Sequence, residues 1–198
     1  MAGRPTVGIL ALQGDVREHA ALLEDLGART VRIRRAEELA EIDGLVLPGG
    51  ESSTIDKLAR AFDVRDALVD RLAAGLPAYG TCAGLILLAD RLQGGIAGQR
   101  TFGGLDVAVR RNAFGRQRES FEAELDVPEL GAPPVRCAFI RAPAIEEIGP
   151  RARELARLPS GEIVAAEQGV ILGTAFHPEQ TGERRFHERF LALVARAA

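Results

Sequence analysis

The chain has 198 residues, of which 46% are hydrophobic and 27% charged, and its formal net charge is -3 at pH 7. This length suits one domain of ordinary size, and the composition excludes intrinsic disorder. Nucleic-acid-binding proteins are usually basic overall or carry a basic stripe, which this balance of charge does not suggest. The 2 cysteines and 3 histidines are too few for a disulfide framework or a usual structural zinc site.

The first apolar stretch, Val7–Leu12, is short. A signal peptide needs a longer apolar region with a cleavage site, and a membrane-spanning helix needs a much longer one. We therefore expect a cytoplasmic protein in a reducing compartment, without membrane association.

Short apolar runs alternate with helical periodicity in the first half of the chain. Apolar runs predict strands at 6–12, 30–33, 44–47 and 76–79. Apolar residues at helical spacing predict helices at 16–26, 55–62 and 64–72, and a buried helix from Leu85. Ser52 and Ser53 are candidate N-caps for the second helix. Near-continuous apolar strands between helices indicate a parallel sheet covered on both faces.

The second half of the chain has a different pattern. Residues 105–109, 121–125 and 135–139 alternate polar and apolar side chains, which predicts antiparallel or edge strands. Residues 163–166 and 170–176 flank Glu167-Gln168-Gly169 and predict a hairpin. The final segment places Phe186, Phe190, Leu193 and Val194 at helical spacing. No linker separates the halves, so we predict one α/β domain over residues 1–198 with a mixed sheet.

The stretch Gly80-Thr81-Cys82-Ala83-Gly84 joins a predicted strand directly to a buried helix. A nucleophile between two glycines at such a corner is typical of a nucleophile elbow, in which the central backbone is strained and its neighbours are small. The N-terminus of the following helix would stabilise a thiolate. Cys82 is therefore the candidate nucleophile, and the alternative is a small core residue. Cys137 lies in the middle of an alternating strand and is predicted to be core.

His177 follows the apolar stretch 170–176, so it is predicted at the carboxyl end of a strand, where sites form in open α/β sheets. In an extended chain Glu179, two residues on, faces the same way and would orient the His177 ring. The alternative is a strand exit with a solvated glutamate. His19 is expected to cap or pack on the first helix, and His187 to be solvated on the last.

Two further stretches are candidates for binding. Residues 48–51 form a glycine turn after a strand, and its N–H groups can face a developing oxyanion. The turn lacks the lysine of a P-loop, and the alternative is a plain turn with a helix cap. Residues 110–118 hold four arginines, either a carboxylate clamp or a solvated loop. Arg141 is a second candidate for such a clamp.

The motifs Gly80–Gly84 and His177–Glu179 together resemble the class I, or triad, glutamine amidotransferases. Residues 10–19, 47–53 and 111–122 resemble the glutaminase subunits of pyridoxal 5′-phosphate synthases. The resemblance runs from Val7 to the final helix. It implies a flavodoxin-like, three-layer αβα sandwich with a mixed, mainly parallel sheet. It also implies hydrolysis of L-glutamine to L-glutamate and ammonia.

The resemblance implies a role for each matching residue. Cys82 is the nucleophile, His177 the general base and acid, and Glu179 its partner. Backbone N–H groups of Gly50 and Ala83 form the oxyanion hole. The reaction passes through a γ-glutamyl thioester and needs no metal and no organic cofactor. The residues expected to contact glutamine are Gly49, Gly50, Glu51, Arg111, Ile140 and Arg141.

A partner is implied as well. Ammonia would pass to a (β/α)8-barrel synthase subunit that makes pyridoxal 5′-phosphate, within a large hetero-oligomer. The loop Gln13–His19 is expected to contact it, because this loop lies at the same strand edge as Cys82 and His177. Two rival functions remain open: a cysteine hydrolase or glyoxalase-like enzyme, and a regulatory binding module with an unreactive Cys82.

Overall fold

The computed structural model describes residues 3–114 and 120–197. Arg116 and Arg118 of the predicted arginine cluster, together with Glu119, lie outside the described residues. The helices of the described ranges include none that is long and apolar enough to cross a membrane.

A ten-stranded sheet, counted over the described residues, forms the centre of the molecule. Five neighbouring strands form the parallel part of the sheet, and each of their four neighbouring pairs runs in the same direction. Four of the five, all except β2, are buried at every position, which explains their continuous apolar runs. In spatial order the five are β2 (Arg29–Ile33), β1 (Thr6–Leu10), β3 (Gly44–Leu47), β4 (Ala78–Thr81) and β12 (Ile171–Thr174).

The sheet continues beyond β12 with mainly antiparallel pairs. Next to β12 lies β11 (Ile163–Gln168), and the two strands form the predicted hairpin. β9 (Ala144–Ile148) and β10 (Arg153–Arg157) both pair antiparallel with β11. β6 (Leu105–Arg110) lies between β9 and β5 (Ala89–Gln93).

The outer strands correct two expectations. β6 pairs antiparallel with β9 but parallel with β5, so it is neither an edge strand nor purely antiparallel. The pattern of the sequence did not predict β5, β9 or β10, which carry charged side chains between their apolar ones. The predicted strands β7 (Ser120–Leu125) and β8 (Val135–Ile140) pair antiparallel in a separate two-stranded sheet.

The predicted helices are present, with corrections at three places. The buried helix predicted from Leu85 spans Ala83–Leu88, a short helix at Pro178–Thr181 was not predicted, and one N-cap differs. The N-cap of the second helix is Glu51, not a serine, because the Glu51 side chain accepts the Ser53 amide N–H. The apolar face predicted for the last helix is buried. The helices are α1 (Val16–Asp25), α2 (Ser52–Ala61), α3 (Arg65–Ala73), α4 (Ala83–Leu88), α5 (Pro178–Thr181) and α6 (Arg185–Ala197).

The topology brings the predicted site residues to one edge of the sheet. The carboxyl ends of parallel strands meet at the same edge. β1 leads to the loop 11–15, β3 to the glycine turn, β4 to Cys82, and β12 to His177.

Candidate active site

Cys82 occupies a corner of the predicted kind between β4 and α4. Its backbone has φ 48° and ψ -100°, a region that residues with a side chain rarely adopt. The Cys82 N–H donates to the carbonyl of Thr174 over 2.8 Å, which ties the corner to β12. Its thiol is largely buried and lies 3.9 Å from the carbonyl oxygen of Ile140.

Both glycines of the corner are required by close backbone approach. A methyl group at Gly84 would collide with the carbonyl oxygen of Leu47 in β3. A methyl group at Gly80 would collide with the backbone of Gly84. The turn is therefore tight enough to need small residues on both sides of Cys82, as the sequence pattern indicated.

The side chains of His177 and Glu179 are in contact, as predicted, but the backbone between them does not have the predicted conformation. Nδ1 of His177 is 2.8 Å from Oε1 of Glu179, and both side chains are buried. The expected extended chain is wrong, since α5 begins directly after His177 with Pro178 in its first turn. Proline is favoured there because its fixed φ suits a helix and its missing N–H would have no partner.

Asp15 is a second carboxylate beside His177, and the pattern of the sequence did not single it out. Its Oδ2 lies 3.2 Å from Nδ1 of His177, so Asp15 and Glu179 approach the same ring nitrogen. Asp15 is the N-cap residue of α1 and directly follows Gly14. The sequence feature that could have identified Asp15 is its position after β1, at the same edge of the sheet as Cys82 and His177.

The surroundings of His177 favour its protonated form. Burial lowers the pKa of His177, but hydrogen bonds with Asp15, Cys82 and Glu179 outweigh this and raise it to about 12. Burial raises the pKa of Glu179, and its contact with His177 opposes that shift. The geometry thus supports an imidazolium held between a thiol and two carboxylates.

The glycine turn packs against this histidine. A methyl group at Gly49 would collide with Cε1 of His177, so only glycine allows the ring to lie there. The carbonyl of Gly49 accepts the Asp15 N–H over 3.1 Å, and Oε1 of Gln13 accepts the Glu51 N–H over 2.7 Å. These bonds join the loop after β1 to the turn after β3.

Arg111 and Glu51 form an ion pair within the site. Nη2 of Arg111 lies 2.7 Å from Oε1 of Glu51, and Nη1 donates to Gln99 Oε1 over 3.0 Å. Burial raises the pKa of Glu51, but bonds from Ser53 and the charge of Arg111 outweigh burial and lower it. Gln99 is a contact of Arg111 that the sequence did not suggest.

A cavity of about 760 Å³ opens in front of the thiol. Gly49, Glu179 and Ala83 do not line it: Gly49 and Glu179 support His177, and Ala83 is the first residue of α4. The predicted residues that line it are Gly50, Glu51, Cys82, Arg111, Ile140, Arg141 and His177. Lining residues not predicted as site residues are Asp15, Ser52, Ile86, Asn112, Phe114 and Gln180.

Three of these lining residues have features that suit a binding site. Ile140 is 43% exposed, one of the few large apolar side chains of the described residues that face solvent. Arg141 has φ 46°, and Asn112, on the neighbouring segment, has φ 49°. Both residues therefore adopt the left-handed backbone conformation, which is rare for residues with a side chain and is concentrated at active and binding sites.

One group of side chains has the composition of a metal site. Potential ligand atoms of Asp15, His177 and Glu179 lie within 4.8 Å of one another. Both carboxylates approach Nδ1 of the same imidazole, which is the arrangement that orients and charges a histidine ring.

His187 corrects a further expectation. It is fully buried rather than solvated, and its Nε2 lies 2.8 Å from Nδ1 of His19, which is also fully buried. Cys137 is buried in β8, as predicted, and burial raises the pKa of its thiol.

A family model described as the SNO glutamine amidotransferase family matches residues 9–196. The chain belongs to this family. The match includes every residue of the candidate site, from the loop after β1 to α5.

Curated relatives of this SNO family member cover almost its whole length. A protein of Leifsonia xyli subsp. xyli named pyridoxal 5′-phosphate synthase subunit PdxT is 62% identical, over 98% of each chain. A protein of Acidothermus cellulolyticus with the same name is 57% identical and covers 100% of this chain and 97% of its own.

Solved structures confirm the fold of this chain. A structure titled as a glutamine amidotransferase superimposes with a TM-score of 0.88 at 45% identity, covering 96% of this chain and 98% of its own. A putative GMP synthase subunit from Thermoplasma acidophilum has a TM-score of 0.68 at 19% identity, covers 98% and 96% of the two chains, and shows the fold alone. The flavodoxin-like α/β class with a mainly parallel sheet, expected from the sequence, is confirmed.

Proposed function

We propose that this chain is a glutaminase that hydrolyses L-glutamine to L-glutamate and ammonia through Cys82, His177 and Glu179. The observation that carries the proposal is the convergence of a thiol on a strained corner with an imidazole held by a buried carboxylate. Membership of a glutamine amidotransferase family supports the substrate class.

The first half of the reaction begins from a charged pair. The raised pKa of His177 favours an imidazolium, whose charge stabilises a Cys82 thiolate beside it. The thiolate attacks the side-chain amide carbon of glutamine, and a tetrahedral oxyanion forms. We assign the stabilisation of this oxyanion to the backbone N–H groups of Gly50 and of Ala83, the latter at the start of α4. His177 then protonates the leaving ammonia, and a γ-glutamyl thioester remains.

The second half needs His177 as a base. Formation of the thioester removes the negative charge of the thiolate, and Cys82 is one of the three residues that raise the pKa of His177. Proton loss to ammonia leaves the ring neutral, so it accepts a proton from the attacking water. Collapse of the second tetrahedral intermediate releases glutamate and restores the thiolate and imidazolium. The sequence of steps requires neither metal nor organic cofactor.

Recognition of glutamine follows from charge complementarity. The amino acid end of glutamine carries an ammonium and a carboxylate. The cavity presents an ion pair of opposite signs, Glu51 with Arg111, and a second arginine, Arg141. We assign the ammonium to Glu51 and the carboxylate to the arginines, with Gly49, Gly50 and Ile140 shaping the rest of the site.

The proposal extends to a partner. Relatives named as subunits of pyridoxal 5′-phosphate synthase support delivery of ammonia to a synthase subunit, expected to be a (β/α)8 barrel in a hetero-oligomer. The proposed contact is the segment Gln13–His19, which borders the cavity through Asp15. It is a loop only as far as Asp15, since Val16 begins α1, and His19 is buried, so the contact is made by the part before His19.

We also propose that residues 1–198 form a single domain, because one sheet joins strands from both halves of the chain.

The test is release of glutamate from glutamine in the presence of the synthase subunit. Cys82→Ser and Cys82→Ala should abolish release, whereas Cys137→Ser should retain it, because Cys137 lies away from the cavity in β8. Asparagine and simple amides should give no product, which separates a glutaminase from a general cysteine hydrolase. Turnover by both Cys82 variants would refute the proposal.

A further inference from the structure

A cluster of buried polar side chains lies behind the candidate triad. It consists of His19 on α1, Thr81 on β4 and His187 on α6, all fully buried. None of the three lines the cavity, so they do not contact a substrate there. The proposed mechanism leaves all three without a role.

The cluster ends on the carboxylate of the triad. Nδ1 of His19 lies 2.8 Å from Nε2 of His187, and Nε2 of His19 lies 3.1 Å from Oγ1 of Thr81. The same Nε2 lies 3.6 Å from Oε1 of Glu179. Oε1 is also the atom that contacts Nδ1 of His177, so His19 and His177 approach one carboxylate oxygen from different elements.

The two histidines of the cluster are neutral. Burial lowers the pKa of His19 well below its usual value, with contributions from His187 and then His177. Burial lowers the pKa of His187 to about 4, with partial opposition from Glu183. A neutral imidazole carries one N–H, so in the hydrogen bond between the rings the tautomer of one ring determines that of the other. The pair is therefore an uncharged support.

Glu179 needs such a support. It lies on α5, a helix of four residues, which is followed by Gly182 in a left-handed conformation. Its Oε2 is buried without a hydrogen-bond partner among the described residues, so the contacts of Oε1 determine how the carboxylate is oriented. Thr81 immediately precedes Cys82, so the cluster also joins the base of the elbow to the carboxylate.

We infer that His19, held by Thr81 and His187, is a positioning residue that fixes the Glu179 carboxylate against His177. The inference rests on the proposed triad and adds a residue to its support. It requires that loss of His19 changes the reaction only through Glu179.

The first test compares variants of His19 in glutamate release with the synthase subunit present. His19→Leu removes the polar atoms and should lower kcat about tenfold, with KM unchanged within about twofold, since misplacement of a catalytic group slows the chemical step. His19→Gln, which keeps a polar atom near the position of Nε2, should retain more of kcat. Leu23→Ala, a buried substitution one turn along α1, is the control for lost stability and should leave kcat unchanged.

A double-mutant cycle separates positioning from a merely structural role. In a Glu179→Gln background, His19→Leu should have no further effect on kcat, because its route to His177 is already broken. An equal fold-loss in both backgrounds would overturn the inference. If His19→Leu does not fold, Thr81→Val, which is nearly isosteric, replaces it in the cycle with the same expectations.

A second measurement does not depend on glutamine turnover. The rate of alkylation of Cys82 is measured against pH in a Cys137→Ser chain, so that Cys82 is the only thiol. The rate reports the charge of His177, because the imidazolium stabilises the Cys82 thiolate. The groups that face His177 are Asp15, Cys82, Glu179 and, beyond them, His19. A misplaced Glu179 stabilises the imidazolium less, so His19→Leu should shift the alkylation profile to higher pH, as Glu179→Gln does. An unshifted profile overturns the inference even if the chain proves not to be a glutaminase. Absence of glutamate release by the unmodified chain would refute the proposed function separately.

Discussion

Oε1 of Glu179 lies 2.8 Å from Nδ1 of His177 across the first turn of α5, with Pro178 between the two residues. The helical turn brings the carboxylate back under the imidazole, where both are shielded from solvent. The pair is thereby fixed at the carboxyl end of β12, beside the thiol at the end of β4. This relationship is the basis of the proposed proton transfers.

Arg111 should contribute to binding of glutamine more than to the chemical step. Arg111→Ala should raise KM, because the contact with the substrate carboxylate is present in both ground and transition states. The loss of binding should be about 2–4 kcal/mol for a desolvated charge pair. Steady-state glutamate release measures it, with Arg157→Ala as control, since Arg157 pairs with Glu154 at an exposed site. If KM is unchanged in both Arg111→Ala and Arg141→Ala, the two arginines do not bind the substrate carboxylate, and the alternative of a solvated loop without a binding role holds.

Gly84 should tolerate no side chain. Gly84→Ala places a methyl group against the carbonyl of Leu47 and should reduce the free energy of unfolding by about 1–3 kcal/mol or more. It should also displace Cys82 and lower activity. Gly3→Ala is the control, because nothing lies within 4 Å of a Cβ at that position. Urea denaturation of the two variants gives the comparison, and equal stability would contradict the tight corner.

His187 should make stability depend on pH. Its pKa is lowered to about 4 in the folded chain, whereas the unfolded chain protonates it near pH 6.5, the ordinary value. The unfolded state therefore binds more protons below about pH 6.5, and the free energy of unfolding falls as the pH drops toward about 4. The part due to His187 is on the order of 3 kcal/mol.

Denaturation at several pH values tests this dependence. His187→Phe should flatten the decline between about pH 6.5 and pH 4, since it removes the titrating group. Phe190→Leu, a buried substitution on the same helix, should change stability without changing the slope. A slope in His187→Phe equal to that of the original chain would show that His187 is not the group responsible.

The synthase partner should stimulate glutamate release. The cavity opens beside the loop that contains Asp15, so docking there would act on the contacts of His177 and the glycine turn. Rates are compared at saturating glutamine for the chain alone and with the synthase subunit added. Equal rates would show a self-sufficient glutaminase and remove the reason for placing the partner at this loop.

The sequence predicted the central part of the fold because four of its five parallel strands are buried at every position. Continuous apolar runs ending in glycine or a turn marked β1, β3, β4 and the β11–β12 hairpin. β5, β9 and β10 were missed because charged residues interrupt their apolar ones, and their pairing depends on distant segments. Long-range pairing overrides local pattern at the outer part of this sheet.

The candidate site was predictable where one short motif carries the geometry. The glycines around Cys82 indicated the corner, and the spacing of His177 and Glu179 indicated contact, although not the helical turn that produces it. Asp15 and His187 were missed for the same reason: each acts on a residue far away in the sequence. His187 follows the apolar Phe186, yet only the packing of α6 against His19 shows that it is buried.

Covalent labelling by a diazo-ketone analogue of glutamine is the most direct test of Cys82 as the nucleophile of a glutaminase. The chain is incubated with the analogue, and the intact mass and the modified peptide are determined by mass spectrometry. We expect one adduct, on Cys82, which persists in Cys137→Ser and is absent from Cys82→Ala, with protection by excess glutamine. An unlabelled chain, or an adduct that persists in Cys82→Ala, would contradict the assignment of Cys82 as the nucleophile of a glutaminase.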